Sequence, residues 1–284
     1  MKTALLMGVV IGLFAVIGCI VGMFLNLGFG VNPLTVVAVL IGLAVVVTSG
    51  TYRFSDRIIL KMYDTAVVSE NIAPELYSRI FQLSSKAGLP MPRIGIINNE
   101  TPNAFATGRT PENAVVAVTS GALSLLQRDE LEGVLAHELA HIKNGDMFIS
   151  TMAAVTASIV FPLKWVWTGT ETPPVITQVR RLLQFIFVPC AALLIRLAVP
   201  QNSEYSADKT GAAISGNPSA LADALIRIDE SITNSPLKHG SPATSHLFIV
   251  NPFRTKSFVR LLFTAPPTEL RVQRLREMTH PSSE

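Results

Sequence analysis

The N-terminal part of this chain contains a long run without a charged residue, since residues 3–52 include no Asp, Glu, Lys, Arg or His. A helix needs only about 20 apolar residues to cross a bilayer, so this run is long enough for two crossings. Residues that favour a turn interrupt it near its middle, namely Asn26, Gly28, Gly30, Asn32 and Pro33. We therefore predict two transmembrane helices, at about 4–27 and about 34–49, joined by a short loop.

The composition of the whole chain agrees with a membrane protein. Hydrophobic residues make up 49% and charged residues 15% of the sequence, and the mean hydropathy is +0.43. Soluble domains carry about 25% charged residues. A cleaved lipoprotein signal is an alternative, because Val16-Ile17-Gly18-Cys19 resembles a cleavage box, but the sequence stays apolar beyond Cys19. The two cysteines, Cys19 and Cys190, lie in apolar segments, so no disulfide framework is expected.

The basic residues around the charge-free run predict its orientation. Lys2 precedes the first predicted span, and Arg53, Arg57 and Lys61 follow the second, whereas the loop between the spans has no charge. Cytoplasmic flanks carry an excess of Lys and Arg, so both ends of the hairpin are expected in the cytoplasm. The chain would then be a multi-pass protein of the cell membrane, with the part that follows the hairpin facing the cytoplasm and the lipid bilayer as a partner.

A short motif in the middle of the chain predicts a metal site. His137-Glu138-Leu139-Ala140-His141 places two imidazoles at i and i+4 on one helical face, with a carboxylate beside the first. This is the layout of a zinc peptidase, in which the histidines bind the metal and the glutamate acts as general base. The plain alternative is an amphipathic helix that carries two histidines without a metal.

A zinc peptidase needs a third protein ligand and leaves one position open for water. The metzincin extension is absent, because Asn144 stands where a glycine is required and Met147 stands where the third histidine would be. A carboxylate from a second helix is the remaining common solution. Glu204 and Asp208 have the i, i+4 spacing that would suit it, although this spacing is equally compatible with a solvated acidic face beside Lys209.

Three motifs in register resemble the HtpX family of membrane-bound zinc metalloproteases, which are glutamate-zincins related to the CaaX prenyl proteases. The first runs from Asn103 to Gly108 and is followed by the segment from Ala114 to Thr119, the second is HELAHIKNGD at 137–146, and the third is EYSAD at 204–208. The similarity extends from the first hydrophobic segment to 266–271. In two places the chain departs from the family: residues 200–203 replace a Ser-Arg-x-Arg run, and Ala265 replaces the first residue of a His-Pro-Pro motif.

The resemblance implies roles for residues of this chain. Glu204 would be the third ligand of one Zn²⁺ ion per chain, and Asp208 would accept the N–H of His137 behind the metal. The edge of a strand at Asn103, Ala104 and Phe105 would bind the backbone of a polypeptide substrate. Ordinary roles remain open for two of these residues, Phe105 in the core and Asn103 in a turn.

The oxyanion of peptide hydrolysis needs a second electrophile besides zinc. The candidates are His246, Tyr205 and Arg271, whereas His239 and His280 are expected to be surface histidines.

The predicted fold class is α+β and mostly helical, a membrane protein with two to four transmembrane helices and a zincin-like catalytic domain. Two further hydrophobic segments, 147–167 and 182–199, are either two spans or a pair of helices that dip into the membrane or are buried in protein. The predicted regions are a transmembrane hairpin at 1–52, the first part of the zincin domain at 53–146, the two further segments at 147–200 and the second part of the domain at 201–284. The smaller elements are helices at 73–87, 217–231 and 267–278, strands at 93–97 and 114–119 joined by a connection at 98–113, and a loop-like stretch at 232–258.

Together these features predict a membrane-anchored zinc endopeptidase. By resemblance, it would cleave unfolded or damaged proteins, including misfolded membrane proteins, at the cytoplasmic face in protein quality control or a stress response. A scaffold that has lost turnover and a CaaX-type processing peptidase are the alternatives, and the second would need more hydrophobic segments. No nucleic acid partner is expected, because the net charge of +3 comes from scattered residues near the hydrophobic segments.

Overall fold

The chain begins with two long antiparallel helices, α1 (Lys2–Phe29) and α2 (Pro33–Met62). The structure is a computed structural model that describes residues 2–160, 192–193, 195–196, 199, 201–237, 240–253 and 265–279. Asn32 caps α2, because its side chain accepts the N–H of Leu34. Both helices are long and apolar enough to cross a membrane, and only 17% of the apolar window of each is buried, unlike the core helix of a soluble domain.

The two predicted N-terminal helices are therefore present, but α2 is longer than the predicted span. It continues past residue 49 to Met62, because Thr51, Ser55 and Ile59 recur at helical spacing and are buried against the rest of the protein. In the hairpin, Gly18 and Gly22 make the closest approach to the partner helix. A Cβ atom on Gly22 would lie 2.9 Å from the Cα of Pro33, so only glycine fits this contact.

A four-stranded sheet follows, with the order β1-β2-β4-β3. Its strands are β1 (Ala66–Val68), β2 (Arg93–Ile97), β3 (Ala104–Thr107) and β4 (Val115–Thr119). Strands β2 and β4 are parallel, and the two outer pairings are antiparallel. The predicted strands at 93–97 and 114–119 are thus neighbours, but the predicted connection at 98–113 is wrong in part. It contains β3 and a 3₁₀ turn (Pro111–Asn113), and β3 lacks an alternating pattern because all four of its residues are buried.

The remaining helices pack around the sheet. They are α3 (Pro74–Ala87), α4 (Ser120–Leu125), α5 (Arg128–Asn144), α6 (Met147–Val160), α7 (Gln201–Ser215), α8 (Pro218–Asn234) and α9 (Thr268–Thr279). Helix α5 lies in the main core cluster, in contact with α3, α7, α8 and β3. The predicted loop at 232–258 is wrong in part, because α8 reaches Asn234 and a 3₁₀ turn forms at Pro242–Leu247.

Helix α6 contains the first part of the third hydrophobic segment. Its buried residues include Thr151, Met152 and Ala157, and the helix packs against α2 and the 3₁₀ turn at Pro242–Leu247. The described part of this segment is therefore enclosed by protein. The rest of that segment, most of the segment at 182–199, Cys190, His239 and His280 lie outside the described residues.

Candidate metal centre

Helix α5 places the two histidines of the motif side by side. The carboxylate of Glu130 accepts the N–H of Gln127 at its start, and Gly145, with φ of +73°, ends it. One turn separates His137 from His141, and their Nε2 atoms lie 3.1 Å apart. The helix is buried along most of its length, so both imidazoles are held by packing on a rigid element.

Helix α7 brings a carboxylate to these two nitrogens. The Glu204 oxygens lie 3.6 Å from Nε2 of His137 and 3.7 Å from Nε2 of His141. The three ligand atoms all lie within 4.8 Å of one another. Ligands at about 2.0–2.1 Å from a tetrahedral ion are roughly 3.4 Å apart, so the predicted set fits a zinc-sized cation.

The outer nitrogens of the two imidazoles face carboxylates. Nδ1 of His141 makes a 3.0 Å hydrogen bond with Asp146, and Nδ1 of His137 lies 3.0 Å from Asp208, close but not aligned as a hydrogen bond. Protons on both Nδ1 atoms leave two Nε2 lone pairs that point at each other and at the Glu204 oxygens. A cation between them removes this repulsion, so the arrangement suits a metal.

Asp146 was not predicted by the sequence analysis. It follows the glycine that ends α5, and its carboxylate reaches back over the last turn to His141. Its position in the sequence, immediately after the end of the helix that carries both histidines, could have indicated that Asp146 lies close to them.

Arg271 of α9 neutralises the buried carboxylates. Its Nε and Nη2 donate to the two oxygens of Asp208 at 2.8 and 2.7 Å, and its Nη1 donates to the Ile249 carbonyl and lies 3.6 Å from Glu204. Burial alone would raise the pKa of Glu204, but the hydrogen bond with His137 and the charges of His141 and Arg271 outweigh it and lower the pKa to about 2. Glu204 is therefore ionised, as a ligand must be.

Glu138 lies beside this set with no partner of its own. The residue is 1% exposed, and within the described part of the chain neither carboxylate oxygen has a hydrogen-bond partner. Burial raises its pKa, although the charge of His137 opposes that shift. A buried, unpaired carboxylate next to metal ligands is the arrangement that a general base needs for an incoming water.

The three oxyanion candidates have different surroundings. Arg271 contacts Glu204, but most of its donors are already used. The Nε2 of His246 lies 3.1 Å from the Ser150 carbonyl, so the single N–H of the neutral ring is donated there. Burial lowers the pKa of His246 to about 4, which keeps the ring neutral. Tyr205 packs under Arg274, whose guanidinium carbon lies 3.7 Å from the ring centre.

The predicted substrate strand is β3, at one edge of the sheet. The Asn103 side chain donates to the Val250 carbonyl at 2.7 Å, and the Ile249 N–H donates to the Ala104 carbonyl at 3.2 Å, so the chain itself covers this end of the strand. Phe105 is fully buried among Tyr63 and other aromatic rings, as its ordinary core role requires.

The next residue with an outward-facing backbone is Ala106. In the register of β3 and β4, the backbones of Asn103, Phe105 and Thr107 face β4, so the N–H and C=O of Ala106 point away from β4, toward the outer edge of the sheet, although the residue is buried. Among the described residues no hydrogen bond from that edge to Ala106 is formed.

Gly211 is a further residue that sequence reasoning missed. A Cβ atom there would lie 2.9 Å from the Cα and N atoms of His137, so α7 touches the backbone of α5 at this point. Glu204, Asp208 and Gly211 form an i, i+4, i+7 series on one face of α7. That spacing was readable from the sequence once the two acidic residues had been placed on a helix.

The chain was compared with known families and proteins. The pattern of "Peptidase family M48" matches residues 70–279. The "Protease HtpX homolog" of Pyrococcus furiosus is 47% identical over 284 residues, which cover 98% of this chain and 95% of that protein. The homologs of Salinibacter ruber and Methanocaldococcus jannaschii are 44% and 41% identical, and each alignment also covers 98% of this chain and 97% or 96% of the relative.

A solved structure, titled "Crystal Structure of S. mikatae Ste24p", matches with a TM-score of 0.49 at 17% identity and covers 90% of this chain. The chain spans 61% of that protein's length. The family match covers most of the chain and the relatives align over almost all of it, which confirms the resemblance seen in the sequence motifs. Together with two helices that can cross a membrane, these matches support a membrane-associated metalloprotease. This chain belongs to peptidase family M48, among the HtpX proteases.

Proposed function

We propose that this protein is a zinc endopeptidase of the cell membrane that cleaves unfolded or damaged proteins at the cytoplasmic surface. The observation that carries the proposal is the convergence of His137, His141 and Glu204 from two helices beside the unpaired carboxylate of Glu138. These four residues supply three ligands and a base, which is the minimum set for metal-assisted hydrolysis.

His137, His141 and Glu204 would hold the ion, and zinc, when bound, supplies a Lewis acid that acidifies a water and polarises the scissile carbonyl. Glu138 accepts a proton from the attacking water as the new C–O bond forms. It then gives this proton to the amine as the C–N bond breaks, so the carboxylate is regenerated. The raised pKa of Glu138 brings it closer to neutral pH and suits both proton transfers.

The residues around the ligands keep the site ready for this chemistry. Asp208 and Asp146 orient the two imidazoles through their Nδ1 atoms, and Arg271 offsets the charge of the buried carboxylates. The oxyanion would be stabilised by the metal together with a donor among His246, Tyr205 and Arg271. Arg271 is favoured, because its Nη1 lies 3.6 Å from the carboxylate of the ligand Glu204.

The substrate backbone would pair with the outer edge of β3 at Ala106, whose N–H and C=O point away from β4; because Ala106 is buried, this pairing requires the edge to become accessible. Pairing through main-chain hydrogen bonds tolerates many sequences, which suits unfolded chains and misfolded membrane proteins in quality control or a stress response. Arg53, Arg57 and Lys61 lie in the last turns of α2, after its uncharged part, which supports a catalytic domain on the cytoplasmic side.

The test is cleavage of casein, an unfolded protein, by detergent-purified protein loaded with zinc, run beside Glu138→Gln. We expect the parent to cleave and the variant to lose at least about 100-fold in rate, because a general base contributes roughly that much. Both proteins should contain one zinc per chain by elemental analysis. Failure of the parent to cleave despite one bound zinc would favour the scaffold alternative.

A further inference from the structure

A cavity rich in arginine lies just beyond the apolar part of α2. It has a volume of about 500 Å³, and four arginines line it: Arg53 and Arg57 of α2, Arg93 of β2, and Arg109 after β3. Two carboxylates, Asp56 and Glu112, also line the cavity. The charged groups at its wall therefore carry a net positive charge.

Within the part of the chain that the structure describes, none of the four arginines forms an ion pair. Arg109 lies over the ring of Tyr52, with 4.7 Å from its guanidinium carbon to the ring centre, and Arg93 donates to the Asn113 carbonyl at 3.4 Å. Among the described residues, these contacts leave most guanidinium N–H groups of the cluster without an acceptor. Arginines gathered around one space repel each other, so an anion in the cavity would stabilise them.

The height of the cavity along α2 points to the source of that anion. A helix rises about 1.5 Å per residue, so the uncharged segment from Pro33 to Tyr52 spans about 30 Å, the thickness of a bilayer's hydrocarbon core. Arg53 is the first charged residue after it, and Arg57 follows one turn later on the same face. Both fall within the roughly 5–7 Å headgroup layer or directly beside it.

We propose that this cavity binds the phosphate of an anionic phospholipid headgroup. The proposal rests on the placement of α1 and α2 in a bilayer under the proposed function. Guanidinium groups bind phosphate oxygens in pairs of hydrogen bonds, which suits a site with several arginines. Leu60 in the wall and the half-exposed ring of Phe54 on the same helix offer apolar surface to the glycerol and acyl parts of a lipid.

The test measures binding to the detergent-solubilised Glu138→Gln protein, so that proteolysis does not interfere. Short-chain phosphatidylglycerol, phosphatidylcholine with the same chains and inorganic phosphate are titrated separately in a calorimeter. We expect one phosphatidylglycerol per chain, with the other two ligands at least about tenfold weaker. Phosphatidylcholine that binds as tightly would overturn the proposal, and phosphate that binds as tightly would assign the site to a soluble anion instead.

A triple variant, Arg57→Gln/Arg93→Gln/Arg109→Gln, removes three of the four cavity arginines. We expect it to lose roughly 100-fold in affinity for phosphatidylglycerol, since each basic residue near an anionic lipid contributes on the order of fivefold. The matched control, Lys61→Gln/Lys86→Gln/Arg128→Gln, removes three exposed charges that do not line the cavity. Equal losses in both variants would show diffuse attraction and contradict a defined site.

Two checks separate the outcomes. Zinc content and the midpoint of thermal unfolding show whether the triple variant is folded. If the triple variant does not fold, the single variant Arg93→Gln, at an exposed position, is used in its place. Extraction of membranes with alkaline carbonate tests the bilayer placement itself. Loss of the protein into the soluble fraction would refute that placement, whereas firm insertion without lipid selectivity would refute only the lipid site.

Discussion

Arg271 connects the metal ligands to the rest of the fold through its paired hydrogen bonds with Asp208. Replacement by Met would leave the buried carboxylate of Asp208 without its paired guanidinium donor, so we expect Arg271→Met to lower the free energy of unfolding by about 3–5 kcal/mol. Arg276→Met is the matched control, because Arg276 lies on the same helix as Arg271 but forms an exposed pair, with Asp223 of α8. The loss of this pair should cost less than about 1 kcal/mol. Urea titrations in detergent compare the two, and equal losses would contradict a structural role for Arg271.

His246 predicts a pH dependence of stability. Burial lowers its pKa from 6.5 to about 4 in the folded protein, so the unfolded chain binds more protons between these values. Its contribution is complete above pH 6.5 and is lost as the pH falls, by about 2 kcal/mol between pH 6.5 and 5. Burial alone would lower the pKa of His141, but in the folded, metal-free protein the neighbouring carboxylates outweigh it and raise the pKa to about 10, so folded His141 keeps its charge over this range. Its titration in the unfolded chain is the same in the parent and in a His246 variant.

The measurement is the free energy of unfolding of chelator-treated protein at pH 6.5 and pH 5. The His246→Gln variant, which does not titrate, should show a smaller loss over this interval than the parent. Parallel pH profiles for the two proteins would contradict a neutral, buried His246.

The individual residues of the site differ in how far the sequence could predict them. His137, Glu138 and His141 follow from helical spacing, because all of their chemistry is local to one turn. Glu204 required a family resemblance, since it lies on another helix and its spacing with Asp208 was equally compatible with a solvated face. The pairing of Arg271 with Asp208 brings together two helices far apart in the chain, and no local pattern encodes such a contact.

At the scale of elements, the contact between α5 and α7 sets the distance between the histidines and Glu204. Gly211 makes this contact possible, because a Cβ there would press on the backbone of His137. We expect Gly211→Val to separate the helices and to weaken zinc binding at least about tenfold, the effect of disturbing groups that orient the ligands. Ala213→Val, at an exposed position of α7, is the control for the valine itself. Competition with a fluorescent zinc chelator measures both affinities, and unchanged binding by Gly211→Val would show that the helices can adjust.

The prediction of secondary structure from the sequence is least accurate where a whole element is buried, because its residues then show no alternation of apolar and polar side chains. The strands β2 and β4 were predicted because they are apolar and rich in β-branched residues, whereas β3 is Ala-Phe-Ala-Thr, which has no alternation. Tertiary contacts stabilise β3, since the ring of Phe105 packs against the rings of Tyr63 and Phe248 from distant parts of the chain. The end of α2 was misjudged for a related reason. Charged residues after Tyr52 end an apolar run, but they do not end a helix.

In the molecule as a whole, α2 belongs to both the apolar hairpin and the core beside the metal centre. Its first part pairs with α1, and its last turns bury Ile59 and, just beyond its end, Tyr63 in a cluster with Phe105 and Phe248. Tyr52 also packs edge-on against Phe148 of α6, with 5.6 Å between the ring centres. Phe148 lies two residues after Asp146, whose carboxylate orients His141. The hairpin is thus joined to the catalytic part by a continuous helix rather than by a flexible linker.

Metal removal tests whether the site stabilises this whole arrangement. The ligands come from α5 and α7, so an ion that binds only the folded chain links two helices and stabilises the protein by about 4 kcal/mol at a thousandfold excess over its dissociation constant. We expect EDTA to lower the midpoint of thermal unfolding of the parent in detergent. Glu204→Gln, which removes one ligand charge, should start lower and respond much less to EDTA. If chelation shifts both proteins equally, the metal that it removes is bound elsewhere, and the stabilisation does not come from His137, His141 and Glu204.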